Sequence, residues 1–239
     1  MLLKILTALI AIGVMALTYF YVDAQKDGPC LKSLILKMIA ATGYVAVGVL
    51  CIIISGDFSS FDKIMLTALI CSWIGDLFLH MGKIFVFTIL GYLGFLSSHV
   101  FFIMAYVKGI ELLSPDRSFF SAPEIIAVAA ALIAFAIYIK VKKLSLPVFL
   151  LIPVMVYGAV IMMMFCKAII LGIDAYSAGI SPFILVSSIL GALLFVMSDF
   201  SISIIFFKKD AKKNFNLKLF NMYTFFGAEI LLGSLIYFI

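Results

Sequence analysis

Long apolar blocks follow one another along this chain, separated by short polar breaks. A helix that crosses a bilayer needs about 20 consecutive apolar residues. Reading the breaks and the charges gives eight such blocks: residues 2–22, 33–55, 62–80, 84–107, 122–140, 146–168, 181–207 and 217–239. They use most of the 239 residues, so the pattern predicts one all-α domain over 1–239, with no soluble domain beside it. Span 1 reads as a retained helix. Val22-Asp23-Ala24 before Gln25 could serve a signal peptidase, but the apolar stretch is longer than the roughly 7–15 residues of a signal core. Gly28-Pro29 marks the turn of loop 1, Pro147 and Pro153 open span 6, and 108–122 is the longest predicted loop.

Composition agrees with the pattern. The chain is 66% hydrophobic and 12% charged, with a mean hydropathy of +1.29. Soluble domains run near 45–50% apolar and about 25% charged. This is the composition of a multi-pass integral membrane protein. Lys26, Lys32, Lys37, Lys83, Lys140, Lys142, Lys143, Lys208, Lys209, Lys212, Lys213 and Lys218 lie at odd-numbered loops or the helix ends beside them. Only Lys4, Lys63, Lys108, Arg117 and Lys167 lie on the other side. By the positive-inside rule the odd loops are cytoplasmic and both termini lie outside. The membrane would be the inner membrane of a bacterium or an endomembrane of a eukaryote. The net charge of +5 is thus a topology signal and predicts no nucleic-acid partner. Lysines in short loops beside apolar helices can meet anionic lipid headgroups instead. Cys30, Cys51, Cys71 and Cys166 show no paired metal-ligand spacing and read as buried reduced thiols.

Against this apolar background the carboxylates stand out. Asp76 lies in Ser72–His80 (SWIGDLFLH), and Asp199 in Leu193–Ile202 (LLFVMSDFSI). A carboxylate at membrane depth costs roughly 2.5–3.5 kcal/mol on insertion scales, so it needs a use or a partner. Ser72, Gly75, Asp76 and Leu79 share one helical face, as do residues 188, 191, 195 and 198–199. Small residues beside each aspartate let a neighbouring helix come close, so the aspartates face protein. His99 shares a turn with Ser97 and Ser98 in a glycine-rich span 4, and Glu229 puts a third carboxyl at depth in span 8. Lys37 near the cytoplasmic end of span 2 either snorkels or pairs with a phosphate or carboxylate. His80 reads as an ordinary interfacial histidine. Asp76 and Asp199 fall at matching places in the span order, 123 residues apart, as a four-plus-four parallel duplication would produce.

Gly75-Asp76 in span 3, Ser98-His99 in span 4, and Gly191-Ala192-Leu193-Leu194-Phe195 with Ser198-Asp199 in span 7 resemble the lysoplasmalogenase (YhhN-like) family. The resemblance covers essentially the whole chain. It implies an eight-helix membrane hydrolase that cleaves the vinyl ether bond of lysoplasmalogens. The products are a fatty aldehyde and glycerophospho-ethanolamine or -choline. Two departures stand out. The proline that tends to follow the family's span 2 lysine is missing after Lys32 and Lys37. Ala228-Glu229 stands where the family often has Ala-Gln.

Vinyl ethers hydrolyse by protonation of the β-carbon, addition of water at the α-carbon of the resulting oxocarbenium, and collapse of the hemiacetal. Two carboxyls suffice, as in glycoside hydrolysis, and neither a metal nor a cofactor is needed. Asp76 and Asp199 are the expected acid/base pair. His99 would orient a carboxylate or relay a proton, and Lys37 and Tyr223 would meet the lipid phosphate. Ser72, Ser198 and Glu229 complete the expected substrate-binding set. Membrane lipids and a lysophospholipid substrate are the expected partners. No Gly-x-Ser-x-Gly elbow is present, which disfavours ester cleavage. The rival readings are a proton-coupled transporter of a small molecule or lipid, and a lipid-binding protein without turnover. Transporters tend to carry broken helices at the midplane, and spans 3 and 7 contain no proline.

Overall fold

The computed structural model describes residues 1–82, 84–141, 148–208, 211 and 213–239. Eight helices follow in order: α1 (Leu2–Ala24), α2 (Leu31–Ser55), α3 (Ser60–His80), α4 (Phe85–Leu113), α5 (Ala122–Val141), α6 (Val148–Ser177), α7 (Pro182–Phe207) and α8 (Phe215–Ser234). A short 3₁₀ turn, Leu235–Tyr237, ends the chain's helical part. All eight helices are long and apolar enough to cross a membrane. No strand occurs among the described residues.

Local chemistry sets the helix starts. Ser59 and Asp62 form a reciprocal capping box on α3, Asn214 caps α8, and Ser181 caps α7 with Pro182 in its first turn. Gly56 ends α2 at φ 77°, a left-handed position that favours glycine. Two predicted spans stop too early. α4 continues to Leu113 and α6 to Ser177, so Lys108 and Gly109 are helical and the predicted long loop 4 shrinks to 114–121. The predicted spans end close to Lys108 and Lys167, but the hydrogen-bonded helix continues past each lysine. Pro153 lies inside α6, whereas Pro147 falls outside the described residues, as do Lys83, Lys142, Lys143, Lys209 and Lys212.

The neighbours of the first four helices recur in the last four. α1–α2, α2–α3 and α3–α4 pack together, and so do α5–α6, α6–α7 and α7–α8. Between the halves, α4 meets α6 as α8 meets α2. This is the packing that a four-plus-four repeat predicts. The symmetry breaks at α5, which lies mainly on α6, while its counterpart α1 packs on both α2 and α8.

α3 and α4 approach most closely. A Cβ added to Gly94 would stand 2.8 Å from the Gly75 backbone, and one on Gly91 2.8 Å from the Leu79 nitrogen. This bears out the small-residue face expected around Asp76. At the even-loop end, residues 114–121 are tied to the bundle. Arg117 pairs with Asp174 at 2.7 Å, and Lys167 pairs with Glu124 at 2.7 Å while donating to the Phe119 carbonyl. At the opposite end the cysteine expectation needs a correction. Cys51 is buried, but Cys30 is exposed, because it is the N-cap of α2, where its sulfur accepts from the Ser33 N–H.

Candidate functional site

Lys37 and Tyr44 stand two turns apart on one face of α2 and both are buried. They meet Asp76 of α3, itself 1% exposed. Lys37 Nζ lies 2.8 Å from Asp76 Oδ1 and also donates to the Asp76 carbonyl at 3.3 Å. The Tyr44 hydroxyl donates to Asp76 Oδ2 at 3.4 Å. A buried carboxylate is tolerated when it is paired and hydrogen-bonded, and both conditions hold here. Lys37 therefore does not snorkel. One turn towards the odd-loop end, His80 Nε2 and the Ser33 hydroxyl add a second link between α2 and α3 at 3.1 Å. His80 is buried, which its place at a helix end did not suggest.

Asp199 of α7 has different company. The Tyr157 hydroxyl on α6 donates to its Oδ2 at 3.0 Å, and His99 Nε2 on α4 lies 3.1 Å from the same oxygen. His99 Nε2 is also 3.1 Å from the Tyr157 oxygen, and Nδ1 faces the Met164 sulfur at 3.3 Å. The His99 ring rests edge-on against Phe195, centroids 4.6 Å apart. The Asp199 side chain is 16% exposed and that of His99 0%, so the carboxylate is the accessible member of this group.

An aromatic wall joins the two centres. Phe225 of α8 touches Tyr44, Phe95 and Phe195, and Phe195 touches His99. Glu229 lies one turn beyond Phe225. It is fully buried, and neither of its carboxyl oxygens has a hydrogen-bond partner of normal geometry. The Ser72 hydroxyl is close enough to interact with it, and both Asp76 and Asp199 are within electrostatic reach.

The expected site residues therefore divide. Lys37 and Asp76 form one cluster and His99 and Asp199 another, with Glu229 in reach of both. Ser72 and Ser198 bind helices together: Ser72 meets Ser98 at 2.7 Å, and Ser198 donates to the Asn221 carbonyl at 3.2 Å. Asn221 returns the bond to the Ser198 carbonyl at 2.7 Å. Tyr223 is half-buried and has no hydrogen bond among the described residues. Sequence reasoning missed Tyr44, Tyr157 and Asn221. The expected repeat offered a signal for the two tyrosines, since each lies on the helix that precedes an aspartate. No group of three His, Cys, Asp or Glu among the described residues could hold a metal ion.

A family model describing the YhhN family matches residues 30–235. The chain belongs to that family. Lysoplasmalogenase is among its members. The match runs from the N-cap of α2 to the end of α8, so it takes in both aspartates and every partner named above. No curated protein and no solved structure matches the chain.

Proposed function

We propose that this protein hydrolyses the vinyl ether bond of a lysoplasmalogen, releasing a fatty aldehyde and a glycerophospho-ethanolamine or -choline. The observation that carries the reading, given the family, is the pair of intramembrane aspartates with unlike partners on either side of one aromatic wall. Lys37 and Tyr44 hold Asp76 as a fixed anion. Such an anion stabilises a cation that develops along the reaction, without reorganising. Asp199, the accessible carboxyl, is the proton-transfer group. It gives a proton to the β-carbon, and the alkene π pair forms the new C–H bond. Water then adds to the α-carbon of the oxocarbenium, and Asp199 takes the proton that the water loses. The hemiacetal collapses: its hydroxyl proton leaves, the C–O bond to glycerol breaks, and the glycerol oxygen is protonated. Atoms balance as vinyl ether plus water giving aldehyde plus alcohol. One carboxyl acting as acid and then base against a second, fixed carboxylate is also the logic of retaining glycosidases. Tyr157 and His99 orient Asp199 and exchange protons with it.

The odd loops are proposed to face the cytoplasm, so the headgroup would approach from that leaflet, where Tyr223 is the proposed phosphate contact. Because Lys37 is engaged with Asp76, its proposed part is to position that carboxylate. α3 and α7 are unbroken helices, which favours a fixed site over the unwound midplane segments of many transporters.

The test uses purified protein in detergent with three lysolipids that share a headgroup and carry a vinyl ether, an alkyl ether or an ester. Aldehyde should come from the vinyl ether alone, with chelators leaving the rate unchanged. In heavy water the rate should fall, and the aldehyde, isolated before exchange, should carry deuterium on its α-carbon. Fast ester cleavage, or aldehyde without that deuterium, would overturn the proposal.

A further inference from the structure

Glu229 is the one carboxyl of the site whose oxygens have no hydrogen bond of normal geometry among the described residues, although its side chain is wholly buried. Leaving a buried polar group unpaired is costly, and more so when the group is charged. A protonated carboxyl presents one O–H donor and one carbonyl acceptor. A second unsatisfied group stands near it. The Tyr106 hydroxyl on α4 is buried without a partner and lies within electrostatic reach of Glu229. Two unsatisfied groups that can each donate and accept suit a ligand hydroxyl, which does both.

The substrate proposed above carries such a group. Its free glycerol hydroxyl and its vinyl ether oxygen sit on adjacent carbons. Whatever holds the hydroxyl must therefore stand beside the carboxyls that work on the ether. Glu229 lies one turn from Phe225, whose ring meets Tyr44 of the Asp76 cluster and, through Phe195, His99 of the Asp199 cluster, so its place in the bundle meets that condition. Phe225, one turn away, packs on Phe95 and Phe195.

Resting on the vinyl-ether reading, we propose that Glu229, with Tyr106, reads the free hydroxyl of the single-chain lipid and so selects it over lipids in which that position is blocked. A site built to bond a hydroxyl discriminates strongly against an analogue that lacks it, because its own buried groups are then left unpaired. The chemistry stays with the aspartates, and Glu229 is a specificity residue.

The experiment compares kcat/KM for a vinyl ether lysolipid with that for its 2-deoxy analogue. The wild-type protein should prefer the hydroxyl lipid by at least about tenfold. E229L should bring the ratio close to one. E229Q should keep the preference, since an amide also offers a donor and an acceptor. The same pair built as alkyl ethers, which have no double bond to protonate, is measured for affinity alone. This arm reads the hydroxyl site without turnover; if E229L does not fold, Y106F, which removes the other hydroxyl partner, should lower the same preference, and an unchanged preference there also overturns the assignment. A wild-type preference near one in binding, or one that E229L leaves unchanged, overturns the assignment. Absence of aldehyde from every vinyl ether, with the hydroxyl preference intact in binding, overturns the proposed reaction and leaves the hydroxyl site standing.

Discussion

At the scale of single residues, the two aspartates differ in what they stand to lose. Asp76 and Lys37 are a buried pair at 2.8 Å, with side chains 1% and 4% exposed. Removing one partner leaves the other charged and unpaired, at about 3–5 kcal/mol. K37M should therefore lower the thermal midpoint in detergent sharply, and K37M/D76N should recover most of the loss. A K37M protein as stable as wild type would show that the pair carries no stability. Asp199 has no cation of that kind, so D199N should fold normally. Its effect should fall on turnover, by about 10²–10⁴-fold, the usual worth of a general acid or base. D76N should also lose most turnover. The double variant should be little worse than either single one, since such residues act as a unit. Substantial aldehyde release by either single variant would remove that aspartate from the mechanism.

At the scale of helices, the α3–α4 contact sets how near Asp76 comes to the α4 side of the site. Only the missing side chains of Gly75, Gly91 and Gly94 permit that approach. A methyl group at Gly94 would press on the Gly75 backbone, which cannot rotate away as a side chain can. G94A should destabilise by about 1–3 kcal/mol, as overpacking does. It should also reduce activity by displacing Ser98 and His99. Gly13 of α1 is the control, because a Cβ there meets nothing within 4 Å. G13A should be neutral or stabilising by up to about 1 kcal/mol, since alanine restricts the unfolded chain more than glycine. Equal effects of the two substitutions, read as thermal midpoints, would show that the close crossing is not what limits position 94.

At the scale of the whole molecule, the open question is which end of the bundle faces the cytoplasm. The chain carries its own reporter. Cys30 is exposed in loop 1, while Cys51, Cys71 and Cys166 lie within helices. The Ser33 backbone N–H bonded to its sulfur, helped by the Ser33 hydroxyl, draws the Cys30 thiol below its ordinary range, so more of it is the reactive thiolate. A membrane-impermeant maleimide should label Cys30 in inside-out vesicles and not in intact cells. C30S should abolish that labelling. Labelling of intact cells would reverse the orientation and place the headgroup approach in the other leaflet.

The sequence by itself determined the class, the number of helices and the two aspartates. Bilayer thickness demands long apolar blocks, and a carboxylate inside one is costly enough to stand out without neighbours in view. It also suggested a repeat, because Asp76 and Asp199 fall at equivalent places in the span order. Partners were another matter. Lys37 read either as a snorkelling lysine or as the partner of a phosphate or carboxylate until α2 was laid against α3, and His80 read as interfacial until Ser33 met it. Tyr44 and Tyr157 are two among ten tyrosines in the chain, and nothing local separates them from packing residues. Only helix packing decided that one faces Asp76 and the other Asp199. The same packing left both Glu229 oxygens without a hydrogen bond of normal geometry among the described residues. Apolar blocks are a property of consecutive residues, whereas the hydrogen bonds that hold the two aspartates join residues 32 to 100 positions apart. Which groups meet, and which is left open for a ligand, follows from how the helices cross.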